Sequence, residues 1–261
     1  MNKTALITGA SGGIGLEFAR IHASKGDNVV LVARNKQKLV ELKESFEKEF
    51  KIHAYPVEKD LSVPGAPDEV FKELQKQNIS VDYLINNAGF GDFGMFADTD
   101  WNKQEKMINL NITALTHLTR LFLPGMISRR QGKILNVAST AAFQPGPTMS
   151  VYFATKAYVL SFSEAVNNEV KEHGITVTAL CPGSTESNFH AVTMGDPGLV
   201  KERVLPSPKS VAEYGYSAMM KGKAVVIPGL KNRFMAKAVG FFPRAFIVKK
   251  ARNVQEKKHN K

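Results

Sequence analysis

The chain has 261 residues, 43% of them hydrophobic and 23% charged, with a net charge of +11; this is the balance of one large domain or two small ones that bury a sizeable core. It excludes an intrinsically disordered chain, a collagen-like repeat and a disulfide scaffold, and no run of about 18 uncharged apolar residues offers a membrane span. Cys181 is the single cysteine, so no internal disulfide is expected and a reducing cytoplasm is.

The first predicted strand, Ala5–Thr8, follows Met1-Asn2-Lys3 directly. Its apolar run is too short for a signal-peptide core and Gly9 ends it, so no secretory signal is expected. Before the predicted helix Gly13–Lys25 stands Thr8-Gly9-Ala10-Ser11-Gly12-Gly13-Ile14-Gly15. Glycines at such a junction permit a tight turn and let the backbone approach a pyrophosphate, while the helix N-terminus adds unpaired N–H groups and a partial positive charge. The spacing Gly9-x-x-x-Gly13-x-Gly15 differs from the commoner G-x-G-x-x-G, and clustered glycines also mark ordinary turns. The second strand, Asn28–Ala33, is a continuous apolar run, the pattern of a strand buried on both faces of a parallel sheet. A carboxylate at its end would hold the ribose diol of NAD and repel a 2′-phosphate. Here Ala33 is followed by Arg34, whose guanidinium suits phosphate and favours NADP(H); a solvated arginine without a ligand is the competing reading.

Helices are predicted over Lys36–Glu49 and Pro67–Lys76, strands over Lys51–Val57 and Val81–Asn86, then the long helix Asp100–Arg130 and the strand Lys133–Ser139. The next helix, Thr148–Glu172, carries Tyr152 and Lys156, four apart and on one face. An ammonium beside a phenol lowers the phenol's pKa, which suits a general acid–base near neutrality; an isolated example of this spacing reads as a surface pair. The strand Thr176–Cys181 leads into Pro182–Pro206, an irregular stretch long enough for a lid or a linker. Helix Pro208–Met220, with Ser207 as its N-cap and proline in its first turn, and strand Ala224–Ile227 follow. Parallel strands need such helical crossovers, so residues 1–230 read as one doubly wound α/β domain. Phe143, Met149, Phe189 and Met194 are candidates to line an apolar cleft, with core packing as the competing role of each. His190 reads as a solvated loop histidine, Tyr158 and Ser161 as packing residues off the active face. The six histidines lack ligand-like spacing, so no metal is expected.

Residues 231–261 are set apart by charge. They hold ten Lys and Arg against the single Glu256, a net +9, which leaves +2 for residues 1–230. A high overall charge would suggest nucleic acid, but its confinement asks for a tail-specific cause, and no nucleic-acid partner is expected. Phe234, Ala238, Phe241, Phe242, Ala245 and Phe246 recur near helical spacing with Lys and Arg between them, and Pro243 should kink or restart the helix. Such a segment suits a membrane surface bearing anionic lipid; packing over a substrate cleft and burial in a subunit interface stay open beside it.

Taken in order, Thr8–Gly15, Asn86-Asn87-Ala88-Gly89, Asn111, Ser139, Tyr152-x-x-x-Lys156 and Pro182-Gly183 resemble the short-chain dehydrogenase/reductase family over about residues 3 to 228. The combination is specific although no element of it is. The resemblance implies a Rossmann-type sheet of about seven parallel strands with helices on both faces, and an oxidoreductase using NAD(H) or, with Arg34, NADP(H). It implies that Tyr152 is the general acid in reduction and the base in oxidation, that Lys156 lowers its pKa and binds the nicotinamide ribose, that Ser139 binds the substrate oxygen and that Asn111 holds a water of the proton relay. Cofactor contacts fall by the same resemblance on Gly9, Ser11, Gly13, Ile14, Gly15, Arg34, Asp60, Leu61, Asn87, Ala88, Gly89, Tyr152, Lys156, Pro182, Gly183 and Ser187. Asp60 would accept from the adenine amine, and Ser187, in place of the family's usual Thr, would keep the carboxamide hydroxyl. The substrate expected is a hydrophobic carbonyl or secondary alcohol, a long-chain 3-oxoacyl thioester or a steroid. The alternative is a non-catalytic NADP(H)-binding sensor or scaffold at a membrane surface, which would have no chemical need for Asn111, Ser139, Tyr152 and Lys156 together. A homodimer or homotetramer through Asp100–Arg130 and Thr148–Glu172 is expected by resemblance, in the cytoplasm or, should the tail bind lipid, at the inner membrane face.

Overall fold

A computed structural model describes residues 2–186 and 205–259 of the protein. The strands are β1 (Thr4–Thr8), β2 (Asn28–Ala33), β3 (Ala54–Glu58), β4 (Tyr83–Asn86), β5 (Gly132–Val137), β6 (Ile175–Leu180) and β7 (Val225–Val226). The helices are α1 (Gly13–Ser24), α2 (Lys36–Phe50), α3 (Ala66–Lys76), α4 (Trp101–Ile108), α5 (Leu115–Arg129), α6 (Ser150–Val170), α7 (Pro208–Met220), α8 (Leu230–Ala238) and α9 (Arg244–His259). The seven strands form one sheet in the order β3-β2-β1-β4-β5-β6-β7, and each neighbouring pair is parallel.

The continuous apolar runs are explained by burial on both faces. Ala5 and Ile7 of β1, with Val29, Leu31 and Ala33 of β2, pack against Phe18 and Ala19 of α1, Leu39 and Phe46 of α2 and Val211 and Met219 of α7. Leu6, Val30 and Val32 point the other way, onto Val70 and Leu74 of α3, Leu118, Phe122 and Met126 of α5 and Val166 and Val170 of α6. A strand alternates its side chains, so both parities must be apolar when helices cover both faces. Two buried asparagines interrupt the pattern. Asn86 and Asn136 are register partners on β4 and β5. Asn86 donates to Asn136 Oδ1 (2.9 Å) and to Thr119 Oγ1 (3.2 Å), and Asn136 donates to Ser163 Oγ (2.9 Å). These bonds tie the middle of the sheet to α5 and α6 and pair both amide N–H groups of Asn86 and both ends of Asn136, while Asn86 Oδ1 is left buried without a partner.

Two predicted elements differ from those observed. The strand expected from Lys51 begins at Ala54, because Lys51 adopts the left-handed conformation (φ 57°) and caps α2 through its N–H to Glu47 O. The single helix expected over Asp100–Arg130 is α4 and α5 joined by a π-helical turn, Asn109–Ala114. Ser207 caps α7 as expected, accepting from Ser210 N at 3.2 Å, and α9 restarts after Pro243. No helix among the described residues is long and apolar enough to cross a membrane.

From β1 the chain moves to β2 on one side, and from β4 to β5 on the other. Adjacent strands that send their connections apart leave a crevice outside their carboxyl ends.

Candidate active site

An open cleft of about 1830 Å³ occupies that position, lined by residues that end or follow β1 to β6. At its nucleotide end the turn after β1 is held tightly. Gly9 has φ 68°, a conformation that L side chains resist. A Cβ on Gly15 would stand 2.3 Å from Gly9 O and 2.4 Å from Asn87 Nδ2, so only glycine lets α1 approach the strand. Asn87 Nδ2 donates to Thr8 O (2.9 Å), while Thr8 Oγ1 accepts from Asn87 N and Ala88 N, both at 2.9 Å. The ends of β1 and β4 are thereby locked together at the switch point. Ser11, Gly13 and Ile14 line the cleft where α1 begins, leaving the first-turn N–H groups facing a space that an anion fits.

Arg34 and Asn35 line the cleft after β2, Lys59, Asp60 and Leu61 after β3. Burial works against the Asp60 carboxylate, but hydrogen bonds from Ser62 Oγ (2.7 Å) and Ser62 N (3.0 Å), with the charges of Arg34 and Lys106, hold its pKa below the ordinary value. Asp60 is thus an oriented, ionised acceptor. β2 ends on Ala33 rather than on the carboxylate that would read a ribose diol, and Arg34, the next residue, lines the cleft; Glu58, the register partner of Ala33 on β3, lies 3.9 Å from Lys36 Nζ and is not among the cleft residues. Backbone donors, an acceptor and a cation in this order fit a dinucleotide carrying a 2′-phosphate.

At the chemical end, Ser139 follows β5 and Tyr152 and Lys156 project from α6. The Tyr152 hydroxyl hydrogen-bonds Ser139, and Ser139 Oγ accepts from Ala141 N (3.1 Å) and lies 3.4 Å from Pro182 O. Lys156 Nζ donates to Val137 O (2.8 Å) and lies 5.9 Å from the centre of the Tyr152 ring. Burial pulls the Lys156 ammonium down to about 8, with the neighbouring Cys181 opposing. Burial also pushes the Tyr152 phenol up to about 12, against the hydrogen bond to Ser139. The ammonium is directed at the Val137 carbonyl, and burial is the larger influence on the phenol. Asn111 lies within the π-helical turn, buried. Its Nδ2 donates to Phe90 O (3.0 Å) and Thr155 Oγ1 (3.1 Å), and its Oδ1 accepts from Phe90 N (3.2 Å). A Cβ on Gly89 would lie 2.9 Å from Asn111 Oδ1 and 3.4 Å from Lys156 Nζ, so Gly89 is where the two approach each other. The widened turn turns Asn111 towards the loop after β4, as π-turns often do at functional sites.

Pro182 and Gly183 complete the wall after β6. Ser187, Phe189, His190 and Met194 lie outside the described residues. Met149 lines the cleft, whereas Phe143 packs into the core beside Leu115 and Val159 and is no cleft residue. Tyr158 and Ser161 are exposed, Tyr158 with its hydroxyl 3.1 Å from Thr116 Oγ1 and its ring stacked on Phe162. The tail contributes directly: Leu230, Asn232 and Met235 of α8 and Val254 and Gln255 of α9 line the cleft. A Cβ on Gly183 would stand 2.7 Å from Asn232 Nδ2. Among the residues missed from sequence are these, with Asn35, Ser62, Phe153, Thr155 and Leu205. Ser62 had a local signal, since an Asp closes an Asx turn by accepting from the backbone N–H two residues on, here Ser62 N, and a serine there adds its hydroxyl; the tail residues had none. A smaller hollow of about 300 Å³ between α3 and α5 holds none of these groups, and among the described residues no three His, Cys, Asp or Glu cluster as metal ligands do.

The profile of a family described as short chain dehydrogenase matches residues 3–196. The very-long-chain 3-oxoacyl-CoA reductase of Rattus norvegicus is 34% identical over 187 residues, covering 70% of this chain and 59% of that protein, so this chain spans less than two thirds of its length. A short-chain dehydrogenase from Sphingobium yanoikuyae, solved in complex with NADPH, superposes with a TM-score of 0.83 at 32% identity over 92% of this chain and 93% of that one. The bulky-bulky ketone specific alcohol dehydrogenase from Comamonas testosteroni does so with 0.78 at 30% identity, over 92% and 93%.

Proposed function

From the premise that the chain belongs to the short-chain dehydrogenase family, we propose that it is an NADP(H)-dependent oxidoreductase that reduces the carbonyl of a hydrophobic substrate, a long-chain 3-oxoacyl thioester or a steroid. The observation that carries this is the hydrogen-bonded Ser139–Tyr152 pair beside Lys156, open to the same cleft as Gly9 and Arg34.

When bound, the nicotinamide supplies the hydride. Ser139 holds the substrate oxygen, and Tyr152 gives it its phenolic proton as negative charge develops there. A phenol pushed up to about 12 is wholly protonated at neutral pH, so the resting site is charged with a proton for reduction. Lys156, still mostly cationic at pH 7, offsets the phenolate that remains and holds the ribose. Asn111 positions a water through which Tyr152 is reprotonated. Gly9, Ser11, Gly13, Ile14 and Gly15 cradle the pyrophosphate, and Arg34 takes the 2′-phosphate. Asp60 and Leu61 take the adenine; Asn87, Ala88 and Gly89 the adjoining ribose; Pro182, Gly183 and Ser187 the nicotinamide. Met149, Phe153, Leu205, Leu230, Met235 and Val254 give the rest of the cleft an apolar wall, which suits an acyl chain. The names of the rat and Comamonas proteins, a very-long-chain 3-oxoacyl-CoA reductase and a bulky-bulky ketone specific alcohol dehydrogenase, support a large carbonyl substrate. The working form in this reading is a homodimer or homotetramer assembled through α4–α5 and α6, in the cytoplasm or at the inner membrane face.

The test follows NADPH absorbance over a panel of 3-oxoacyl thioesters of rising length, ketosteroids and short aldehydes, with Tyr152→Phe beside the wild type. Turnover should rise with acyl length and fall about 10²–10⁴-fold in the variant, with NADPH still bound. Saturable NADPH binding without turnover on any carbonyl would favour the sensor reading.

A further inference from the structure

The tail carries more than a cleft wall requires. Its inward face is spent on the body: Ile247, Ala251 and Gln255, spaced four apart on α9, are buried. Its outward face is not. Phe234 is 74% exposed, Phe241 87%, Phe242 51% and Phe246 53%, and the Phe242 and Phe246 rings lie 5.6 Å apart. Large apolar side chains left exposed together on a folded protein mark an interaction surface. Around it Lys231, Arg233, Lys237, Arg244, Lys249, Lys250 and Arg252 are exposed as well. The net charge of residues 231–261 is +9, and Glu256, their single acid, is paired with Arg252 at 2.7 Å. The patch is therefore both greasy and uncompensated in charge.

We propose that α8 and α9 form a docking surface for an anionic phospholipid bilayer, with the mouth of the cleft turned towards it. Charge complementarity selects this occupant. Anionic headgroups attract the clustered cations, and phenylalanines enter the acyl boundary beneath them. A second copy of the chain fits less well, because a two-fold contact through this patch opposes these exposed cations to their own copies. The orientation follows from Leu230 and Met235. Both line the cleft, and both are also exposed, at 81% and 54%, so the cleft rim is continuous with the patch. An apolar carbonyl would pass from bilayer to cleft without crossing water. This last step rests on the reductase reading; the docking does not.

The experiment is co-sedimentation of the full chain with phosphatidylglycerol-containing and pure phosphatidylcholine vesicles. Two double variants run beside it, Phe241→Ser with Phe242→Ser and Lys249→Glu with Lys250→Glu, checked for folding by circular dichroism. None of these four residues lines the cleft. The wild type should bind anionic vesicles at least tenfold more than neutral ones and lose that binding in high salt. Each variant should lose it at least tenfold while turning over a short, water-soluble carbonyl as the wild type does. Equal binding to both vesicle types, no binding at all, or undiminished binding by both variants would overturn the docking. So would a Phe241- and Phe242-dependent self-association, or displacement of the protein from vesicles by single-stranded RNA. Vesicle binding without turnover of any carbonyl would leave the docking standing and remove the reductase; turnover without vesicle binding would do the reverse.

Discussion

Lys156 is the residue on which pH acts first. Its buried ammonium has a pKa of about 8, against about 12 for the Tyr152 phenol. A lowered amine is charged below its pKa and neutral above it, so the cation beside the phenol is present at pH 7 and lost as pH rises through 8. Reductive kcat/KM should be flat through neutrality and fall above about pH 8, long before Tyr152 itself titrates. A pH–rate profile checks this, and a plateau extending to pH 10 would detach Lys156 from the chemistry. The spacing of Tyr152 and Lys156 was legible in the sequence because helix geometry alone puts residues four apart on one face. The sign of the phenol's shift was not, since it depends on how much protein surrounds the ring and where the ammonium points.

Among the elements, the β1–α1 junction has the least room. The sequence showed four glycines, Gly9, Gly12, Gly13 and Gly15, without saying which is indispensable. The structure separates them: at Gly15 any Cβ meets the backbone carbonyl of Gly9 at 2.3 Å, and a carbonyl between a strand and a helix has nowhere to move. Gly15→Ala should cost about 1–3 kcal/mol, the usual range for overpacking, and should abolish NADPH binding. Thermal unfolding and fluorescence titration read the two effects, and an alanine variant that binds normally would show that α1 can slide. The π-helical turn at Asn109–Ala114 was hidden for a related reason. Its sequence keeps a helical period on either side, and the inserted residue is visible only once Asn111 is seen bonded to Phe90.

At the scale of the whole molecule, cofactor binding is a stability statement. The cleft draws residues from the ends of six strands and from the tail, so a ligand filling it holds distant segments of the chain together. Saturation at 100 times Kd adds about 2.7 kcal/mol, or roughly 2–4 °C in Tm per kcal/mol for a chain of this size. NADPH should therefore raise Tm by several degrees and NADH by less. In Arg34→Ala the difference should vanish, because one lost charge-assisted contact of about 1.5–3 kcal/mol weakens NADPH roughly 10–100-fold and leaves NADH alone. Equal shifts for both cofactors in the wild type would overturn the 2′-phosphate role of Arg34.

What the sequence determined by itself was everything local or periodic: the doubly buried strands, the crossover helices, the Ser207 cap, the turn glycines and the Tyr152–Lys156 face. Each is written in adjacent residues or in a fixed helical or strand period. The tertiary structure decided what depends on residues far apart in the chain. It seated Asn232, Met235 and Val254 in the cleft wall, moved Phe143 from the cleft to the core and gave the phenol its high pKa. It also left the tail's phenylalanines outside while burying Ile247 and Ala251. Amphipathic spacing says that a helix has two faces; which face the body takes, and which it leaves to a partner, is settled only when the body is there to pack against.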